Sequence, residues 1–290
     1  MTPFDATKPL LVFGGPYSNL EATRAMRQRA EALAIPPRNV ICTGDVVAYC
    51  AAPEETARLV AGWGCHVIQG NCEQQLAVGA EDCACNFEDG TECAALAKGW
   101  YPFANGRMSP EVRAWMGGLP TTLRFAYAGR TFRVVHGGTD IVNRWVFPSE
   151  CAVLAEEVAR ADADVVIAGH SGIPSITRIR TRVWFNPGVI GMPANDGTAD
   201  VWFGLVRAID GGVMLSTHRL AYDHRTTAAA MRRFGHANGY ARTLVTGLWP
   251  SLDILPPAER DATGQRLRTR TLRVAAPART ALKGAVKATA

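Results

Sequence analysis

The chain lacks several features that would assign it to a particular class of protein. Its 290 residues contain no run of about 18 apolar residues, so no membrane span is expected. The first ten residues, "MTPFDATKPL", lack the basic start and apolar middle of a signal peptide, which predicts a cytoplasmic protein. No internal repeat of fixed period is present, which argues against a repeat architecture.

Cysteine is plentiful, but its usual metal-binding spacing is missing. None of the eight cysteines forms a Cys-x-x-Cys pair, and in a reducing compartment they should be free thiols. An alternative concerns the stretch "DCACNFEDGTEC", whose cysteines could hold a structural zinc ion with Cys72 as the fourth ligand. The three residues concerned are Cys83, Cys85 and Cys93.

Net positive charge is missing from most of the chain. The formal net charge is +5, yet the segment from Arg260 to Ala290 has eight Lys or Arg residues against one acid. This Ala-rich segment has few large apolar side chains, so residues 260–290 are predicted to form a disordered basic tail. An anchor for an anionic surface or RNA is the alternative. No aromatic residue lies among the charges, which argues against a nucleic-acid partner.

What is present is an alternation of apolar runs and helical patterns, with 48% hydrophobic residues. Strands are predicted at 10–14, 39–45 and 65–71, with helices at 19–34 and 52–64 between them, as in a parallel α/β sheet. Residues 80–118 are predicted to form an inserted helical cap. Six strand-like segments follow, joined by short turns. We therefore expect two packed sheets with helices outside, in one domain of residues 1–259.

Four of the apolar runs end in a polar residue with glycine beside it. One carboxylate, one amide and two imidazoles in this arrangement could bind Mn, Fe, Zn or Ni. Each residue alone could instead hold a turn or lie satisfied in the core. The four are Asp45 in "TGD", Asn71 in "QGNCE", His136 in "VVHGG" and His170 in "AGHSG".

The order of these motifs resembles the calcineurin-like metallophosphoesterases, in particular the branch with symmetrical dinucleotide polyphosphatases and small phosphodiesterases. The matching stretches are "GGPYSNLEA", "GDVVAYC", "GNCE", "VHGG", "GHSG" and "NPGVIGMP", within about residues 10–210. The resemblance implies an α+β or α/β fold, a four-layer α/β/β/α sandwich of two mixed sheets. It also implies hydrolysis of a phosphomonoester, phosphodiester or dinucleotide polyphosphate by metal-activated water.

The chain departs from the family at one of its two metal positions. The family's first-turn Asp and His fall on Gly15 and Tyr17, and the second His of its GHTH motif falls on Gly172. The resemblance therefore implies that the private ligands of the first metal are missing. The second set is retained and implies about one divalent metal per chain; it consists of Asp45, Asn71, His136 and His170.

The remaining candidate residues follow from the same alignment. The family's catalytic His falls on Cys72, which could act as an acid, supply a soft thiolate ligand, or be a buried turn residue. Tyr17 could fill the empty metal position or direct its hydroxyl at the phosphate, so Tyr17, Cys72 and Asp45 are the catalytic candidates. Asn19 and Asn195 are the candidate substrate-binding residues. Asn195 also fits a structural turn or, with Asp196, a replacement ligand.

Three functions are compatible with these features. A hydrolase acting on a small phosphorylated substrate is preferred, because the implied fold and the retained ligand set agree. A degenerate phosphoesterase fold that binds a metal or nucleotide, or responds to redox state, is the second hypothesis. A scaffold that uses the basic tail is the third, and the oligomeric state is left open.

Overall fold

The structure, a computed structural model, describes residues 4–85, 87–235 and 237–275. The strands are β1 (Leu10–Phe13), β2 (Val40–Cys42), β3 (His66–Val67), β4 (Leu123–Tyr127), β5 (Arg130–Val134), β6 (Val165–Ile167), β7 (Ser175–Ile179), β8 (Arg182–Asn186), β9 (Val201–Ile209), β10 (Gly212–Leu220) and β11 (Thr271–Ala275). The helices are α1 (Leu20–Ala32), α2 (Pro53–Trp63), α3 (Asn71–Val78), α4 (Glu92–Asn105), α5 (Pro110–Gly117), α6 (Cys151–Ala161), α7 (His224–Phe234), α8 (Asn238–Thr246) and α9 (Pro257–Asp261).

The first sheet has the strand order β11-β10-β9-β1-β2-β3. Its half formed by β1, β2 and β3 is parallel, as the opening alternation of strands and helices predicts. Asn19 caps α1 by accepting a hydrogen bond from the Ala22 backbone N–H, and α2 begins with Pro53. The remaining strands β9, β10 and β11 pair antiparallel. This sheet is therefore mixed.

The second sheet has the order β4-β5-β6-β8-β7. Its central strands β5, β6 and β8 are parallel, and the outer strands β4 and β7 are antiparallel to their neighbours. The parallel pairing brings the carboxyl ends of β5 and β6 to one edge. This sheet supplies the two histidine motifs of the sequence.

Side-chain alternation along β1 separates two hydrophobic cores. Leu10 and Val12 lie between the two sheets, in the same core as Phe185 of the second sheet. Leu11 and Phe13 point to the opposite face, in the core beneath the flanking helices. A strand with a side-chain period of two can bury both faces only when it is covered on both sides.

The outer face of the second sheet is covered by α6. Val166 and Trp184 pack there against Leu154 and Val158 of the helix. The order helices, sheet, sheet, helix confirms the predicted layered α/β sandwich of two mixed sheets. It also brings the C-terminal edges of the parallel strands of both sheets together.

The region 80–118 contains a loop followed by α4 and α5, whose N-termini are capped by the side chains of Thr91 and Ser109. Within the loop, Cys83 and Cys85 form a disulfide. The prediction of free thiols is therefore wrong for these two residues and right for the six other cysteines. The closed zinc site is also wrong, because sulfur atoms joined in a disulfide do not provide thiolates.

Two boundaries and one strand differ from the sequence prediction. The third strand is only His66–Val67, because Asn71 already begins α3. Strand β7 was not predicted. Part of the predicted tail belongs to the fold, since Thr271–Ala275 pairs with β10 as an edge strand; residues 276–290 lie outside the described residues.

Within the described ranges, none of the helices has both the length and the apolar character required to cross a membrane.

Candidate metal centre

Four polar side chains converge where the carboxyl edges of the two sheets meet. Asp45 follows β2 and Asn71 follows β3, while His136 and His170 follow β5 and β6 of the other sheet. All four are at least nine-tenths buried. Sites at the carboxyl ends of parallel strands are typical of open α/β sheets, because the connecting loops meet there.

The ligand atoms of these side chains lie within a few ångströms of one another. His136 Nε2 lies 3.2 Å from Asp45 Oδ2, 3.2 Å from Asn71 Oδ1 and 3.1 Å from His170 Nδ1. His170 Nδ1 lies 3.9 Å from the same Asp45 oxygen. Asp45, His136 and His170 form a group with metal-ligating geometry among the described residues, and Asn71 adds an amide oxygen to it.

A backbone carbonyl selects the tautomer of His136. The Thr43 carbonyl oxygen lies 2.6 Å from His136 Nδ1, so this nitrogen carries the proton and donates it. The other nitrogen, Nε2, then presents a lone pair to the centre. A hydrogen bond at one imidazole nitrogen that frees the other is the usual arrangement of a metal-ligating histidine.

The centre combines one buried carboxylate with two buried imidazoles. Burial raises the pKa of Asp45, but His136 and His170 outweigh burial and hold it below its ordinary value. Burial lowers the pKa of His136, but the Asp45 carboxylate outweighs burial and the net shift is upward. Four converging oxygen and nitrogen donors, one of them a carboxylate, fit a divalent transition metal.

Glu73 organises the loop that carries Asp45, and the sequence analysis missed this role. Its buried carboxylate accepts hydrogen bonds from the backbone N–H groups of Asp45 at 2.7 Å, Val46 at 2.7 Å and Gly70 at 2.8 Å. Burial, followed by the nearby Asp45 charge, raises the pKa of Glu73 to about 7. The only signal in the sequence was an acid directly after "GNC".

The loop held by Glu73 has an unusual backbone. Asp45 has a φ of +54°, in the left-handed region that non-glycine residues seldom adopt. Gly70 permits the close approach, because a Cβ there would lie 2.8 Å from His136 Cε1 and against the Asp45 carboxylate. The three hydrogen bonds to Glu73 stabilise this backbone conformation.

Asn71 is oriented by the cysteine loop. Its amide nitrogen donates to the Cys83 carbonyl oxygen at 2.9 Å and approaches Cys85 Sγ at 3.5 Å. The amide oxygen is thereby left facing His136 Nε2. The Cys83–Cys85 loop therefore fixes which atom of Asn71 is presented to the centre.

Aromatic rings occupy the positions where the resemblance places the first-metal ligands. A Cβ on Gly15 would lie 2.7 Å from Tyr17 Cε1, so the Tyr17 ring fills the space that a larger residue 15 would need. A Cβ on Gly172 would lie 3.5 Å from Trp249 Cζ2. This half of the site is consequently apolar, and Tyr17 lies in it with 5% exposure.

The other predicted site residues have structural contacts. Cys72 is buried, and burial raises the pKa of its thiol well above its ordinary value, with Asp45 and Glu73 adding to the shift. Its assignment as an acid or as a soft ligand stays a prediction. The backbone N–H of Cys72 donates to Asp45 Oδ1 at 3.3 Å.

Asn19 and Asn195 are also engaged within the fold. Asn19 donates to the Gly191 carbonyl oxygen at 3.0 Å and to Tyr222 Oη at 2.9 Å. Asn195 donates to Thr263 Oγ1 at 3.0 Å and accepts from the Trp249 backbone N–H at 2.9 Å. These bonds account for both side chains structurally, and their assignment to substrate binding stays a prediction.

The comparison with known proteins agrees with this geometry. The sequence profile of the calcineurin-like phosphoesterase superfamily domain matches residues 18–207, which is well over half of the chain. The chain therefore belongs to the calcineurin-like phosphoesterase superfamily. No curated protein matches the sequence.

Two solved structures share the fold. A metallophosphoesterase from Sphaerobacter thermophilus has a TM-score of 0.66 at 20% identity, over 83% of this chain and 100% of the other. A hypothetical protein from Pyrococcus horikoshii has a TM-score of 0.69 at 18% identity, over 83% and 99% of the two chains. At these identities the likeness concerns the fold alone.

Proposed function

We propose that the chain is a metal-dependent phosphoesterase that works with a single divalent transition metal. One observation carries the proposal. Buried donor atoms of Asp45, Asn71 and His170 all lie 3.1–3.2 Å from a fourth, His136 Nε2. The donor set is Asp45, Asn71, His136 and His170. Membership of the phosphoesterase superfamily supports hydrolysis as the reaction class.

The chain's own residues supply the positioning. The Thr43 carbonyl holds the His136 tautomer, Glu73 holds the Asp45 loop, and the Cys83 carbonyl orients Asn71. Such supporting hydrogen bonds raise metal affinity by fixing the ligands before binding. A divalent metal bound there would polarise a phosphoryl oxygen and favour the ionisation of water.

The substrate is a small phosphorylated molecule, either a phosphomonoester or a phosphodiester. Dinucleotide polyphosphates fit less well, because the half-site beside the metal centre is formed by the apolar rings of Tyr17 and Trp249. Several adjacent phosphates would need cationic or polar partners there. Tyr17 is proposed to face the bound phosphoester, and Cys72 to be a neutral neighbour of Asp45.

A binding module without hydrolysis is the second candidate. It is supported by the Tyr17 ring beside Gly15, because the resemblance implies first-metal ligands at Gly15, Tyr17 and Gly172, and a two-metal clamp of attacking and leaving oxygens would lack them. A protein of this kind would retain the metal and a ligand while showing no turnover.

Metal analysis combined with an activity assay separates the two candidates. Protein purified without added metal is assayed for metal content and for hydrolysis of bis-p-nitrophenyl phosphate, alongside Asp45→Ala and His170→Ala. One metal per chain with turnover, both lost in the variants, supports the enzyme. One metal without turnover supports the binding module, and no metal in any sample contradicts both.

A further inference from the structure

A cavity lined mostly by aromatic residues adjoins the metal centre. Its cavity volume, counted as the space open to the centres of water-sized molecules, is about 50 Å³, and its mouth opens to the solvent. His170 belongs to the metal centre and to this cavity. Its Nδ1 atom faces the metal ligands, and its ring forms part of the cavity wall. Tyr17 and Gly172 line the cavity as well, so it occupies the first-metal side of the site. We call it the aromatic slot.

The walls of the aromatic slot are rich in rings and contain no charged side chain other than the titratable His170. Lysine, arginine, aspartate and glutamate are all absent from the described lining residues. Burial raises the pKa of Tyr17 and of Tyr49 well above the ordinary value, so both phenols are neutral. The aromatic lining residues are Tyr17, Tyr49, Phe87, Trp145, Tyr240 and Trp249.

The rings support one another in fixed orientations. Tyr49 contacts Tyr17 edge-on with ring centroids 4.8 Å apart, and Tyr240 with centroids 4.3 Å apart. On the other side, Trp145 covers the His170 ring at a centroid distance of 4.0 Å. The rings of the slot therefore pack against one another on both sides of the cavity.

A few polar groups lie among these rings. Ser171 and Ser251 both line the slot, and both are buried. A mostly apolar cavity with a small number of polar groups is the usual form of a small-molecule site. The polar groups are too few to solvate several phosphates, and the described lining residues include no Lys or Arg to neutralise them.

We propose that the aromatic slot binds a flat, uncharged ring that is joined to the phosphoester held at the metal centre. The inference rests on the proposed function, and it narrows the substrate class to ring-bearing phosphoesters. Stacking against the slot walls supplies the binding energy for the ring. The shared His170 couples the two subsites, because one imidazole contacts the metal ligands and the slot at the same time.

The test compares ligands that share one phosphate and differ in the ring. Binding of 2-naphthyl phosphate, AMP and glycerol 3-phosphate to the manganese-loaded protein is measured by calorimetry. We expect at least one ring-bearing ligand to bind about tenfold more tightly than glycerol 3-phosphate. Comparison of 2-naphthyl phosphate with AMP shows whether the preferred substrate is an aryl ester or a nucleotide. Equal affinity for all three would overturn the inference.

Two variants tie the preference to the slot. Ile254 is a half-buried lining residue, so Ile254→Trp should fill the slot and abolish the ring preference, whereas Ile254→Leu should keep it. Phe87→Ala removes a wall and should weaken ring binding several-fold without affecting glycerol 3-phosphate. An unchanged ring preference in both Ile254→Trp and Phe87→Ala would contradict the assignment.

A further binding experiment tests the slot independently of the proposed enzymatic function. The ring alcohol 2-naphthol has no phosphate, so it should bind both the wild-type chain and Asp45→Ala. Binding of 2-naphthol without any phosphoester hydrolysis would retain the slot and reject the enzyme. Hydrolysis of all esters with no ring preference would retain the enzyme and reject the slot.

Discussion

The two halves of the site differ in chemistry although the same loops form both. On one side, Asp45, His136 and His170 direct buried donor atoms at a common point. On the other, the Tyr17 ring lies over Gly15, and Trp249 lies near Gly172. The first half presents donor atoms that could hold a cation, and the second is lined by aromatic rings.

The chemical difference between the two halves lies in their side chains. Their backbones are joined by hydrogen bonds. The N–H of Gly15 donates to the Gly44 carbonyl oxygen, and the N–H of Tyr17 donates to that of Asp45, both at 3.1 Å. The Gly15 loop is thus held by the loop that carries the metal ligand. The aromatic half and the metal-ligand half are therefore built on connected loops.

Removal of the central carboxylate should have the largest effect on this contrast. Asp45→Asn deletes the formal charge that offsets the cation, and we expect metal content to fall from about one per chain to near zero. Elemental analysis after desalting measures this. The exposed Asp140→Asn is the matched control, and retention of the metal in Asp45→Asn would contradict the ligand assignment.

Weakening of the supporting carboxylate should have the next largest effect. Glu73→Gln turns an NH₂ group toward backbone N–H donors of Asp45, Val46 or Gly70, so at least one bond is lost. We expect metal affinity to fall about 10- to 100-fold. The free energy of unfolding should also fall, by about 1–3 kcal/mol.

Competitive metal titration and urea unfolding measure the two effects of Glu73→Gln. The exposed Glu81→Gln serves as the control and should change neither quantity. Loss of stability with unaltered metal affinity would assign Glu73 to folding alone.

Substitution of Gly15 and Tyr17 by ligand-type residues should reveal an energetic coupling between the two positions. Gly15→Asp is expected to destabilise the fold, because its side chain collides with the Tyr17 ring and its φ is +35°. Gly15→Asp combined with Tyr17→His should cost less than the sum of the single changes. We expect a coupling free energy of about 1–3 kcal/mol in a double-mutant cycle measured by urea unfolding.

Additive effects in that cycle would show that the Tyr17 ring is not what excludes a larger residue 15. The same double variant also tests the two-metal comparison, because it restores two of the implied ligand types. Its metal content should stay at about one per chain, since Gly172 still provides no ligand.

Opening of the cysteine loop should have the smallest effect. Cys83→Ser with Cys85→Ser removes the disulfide but keeps the backbone carbonyl that orients Asn71. We expect a few-fold loss of metal affinity, because an outer-shell contact is loosened rather than a ligand removed. Cys151→Ser, at an exposed free thiol, is the control. Equal metal affinity in the control and in the double variant would show that the cysteine loop does not influence the metal centre.

Much of the fold could be predicted from local patterns. The apolar run of β1 and the Gly-flanked polar residues after β2, β5 and β6 depend on neighbours in sequence, and such signals can be recognised without an alignment. Asp45, His136 and His170 were identified as candidates for that reason, and the structure brings them together.

Other features depend on contacts between distant segments. The edge strand Thr271–Ala275 reads as part of a basic tail, because the alternation of Leu272 and Val274 with polar residues is short and lies within a run of basic residues. Glu73 reads as an ordinary helix residue until its three backbone partners are seen. The Tyr17 ring could not be placed from sequence, since its backbone N–H bonds to the Asp45 carbonyl oxygen and its ring packs against Tyr49.

The most direct test of the account is a crystal structure of the manganese-loaded chain with anomalous data collected for the metal. The account predicts one anomalous peak, about 2.0–2.3 Å from ligand atoms of Asp45, Asn71, His136 and His170. It also predicts no peak beside Tyr17 and Trp249. A second peak there, or a single peak away from the four donors, would contradict it.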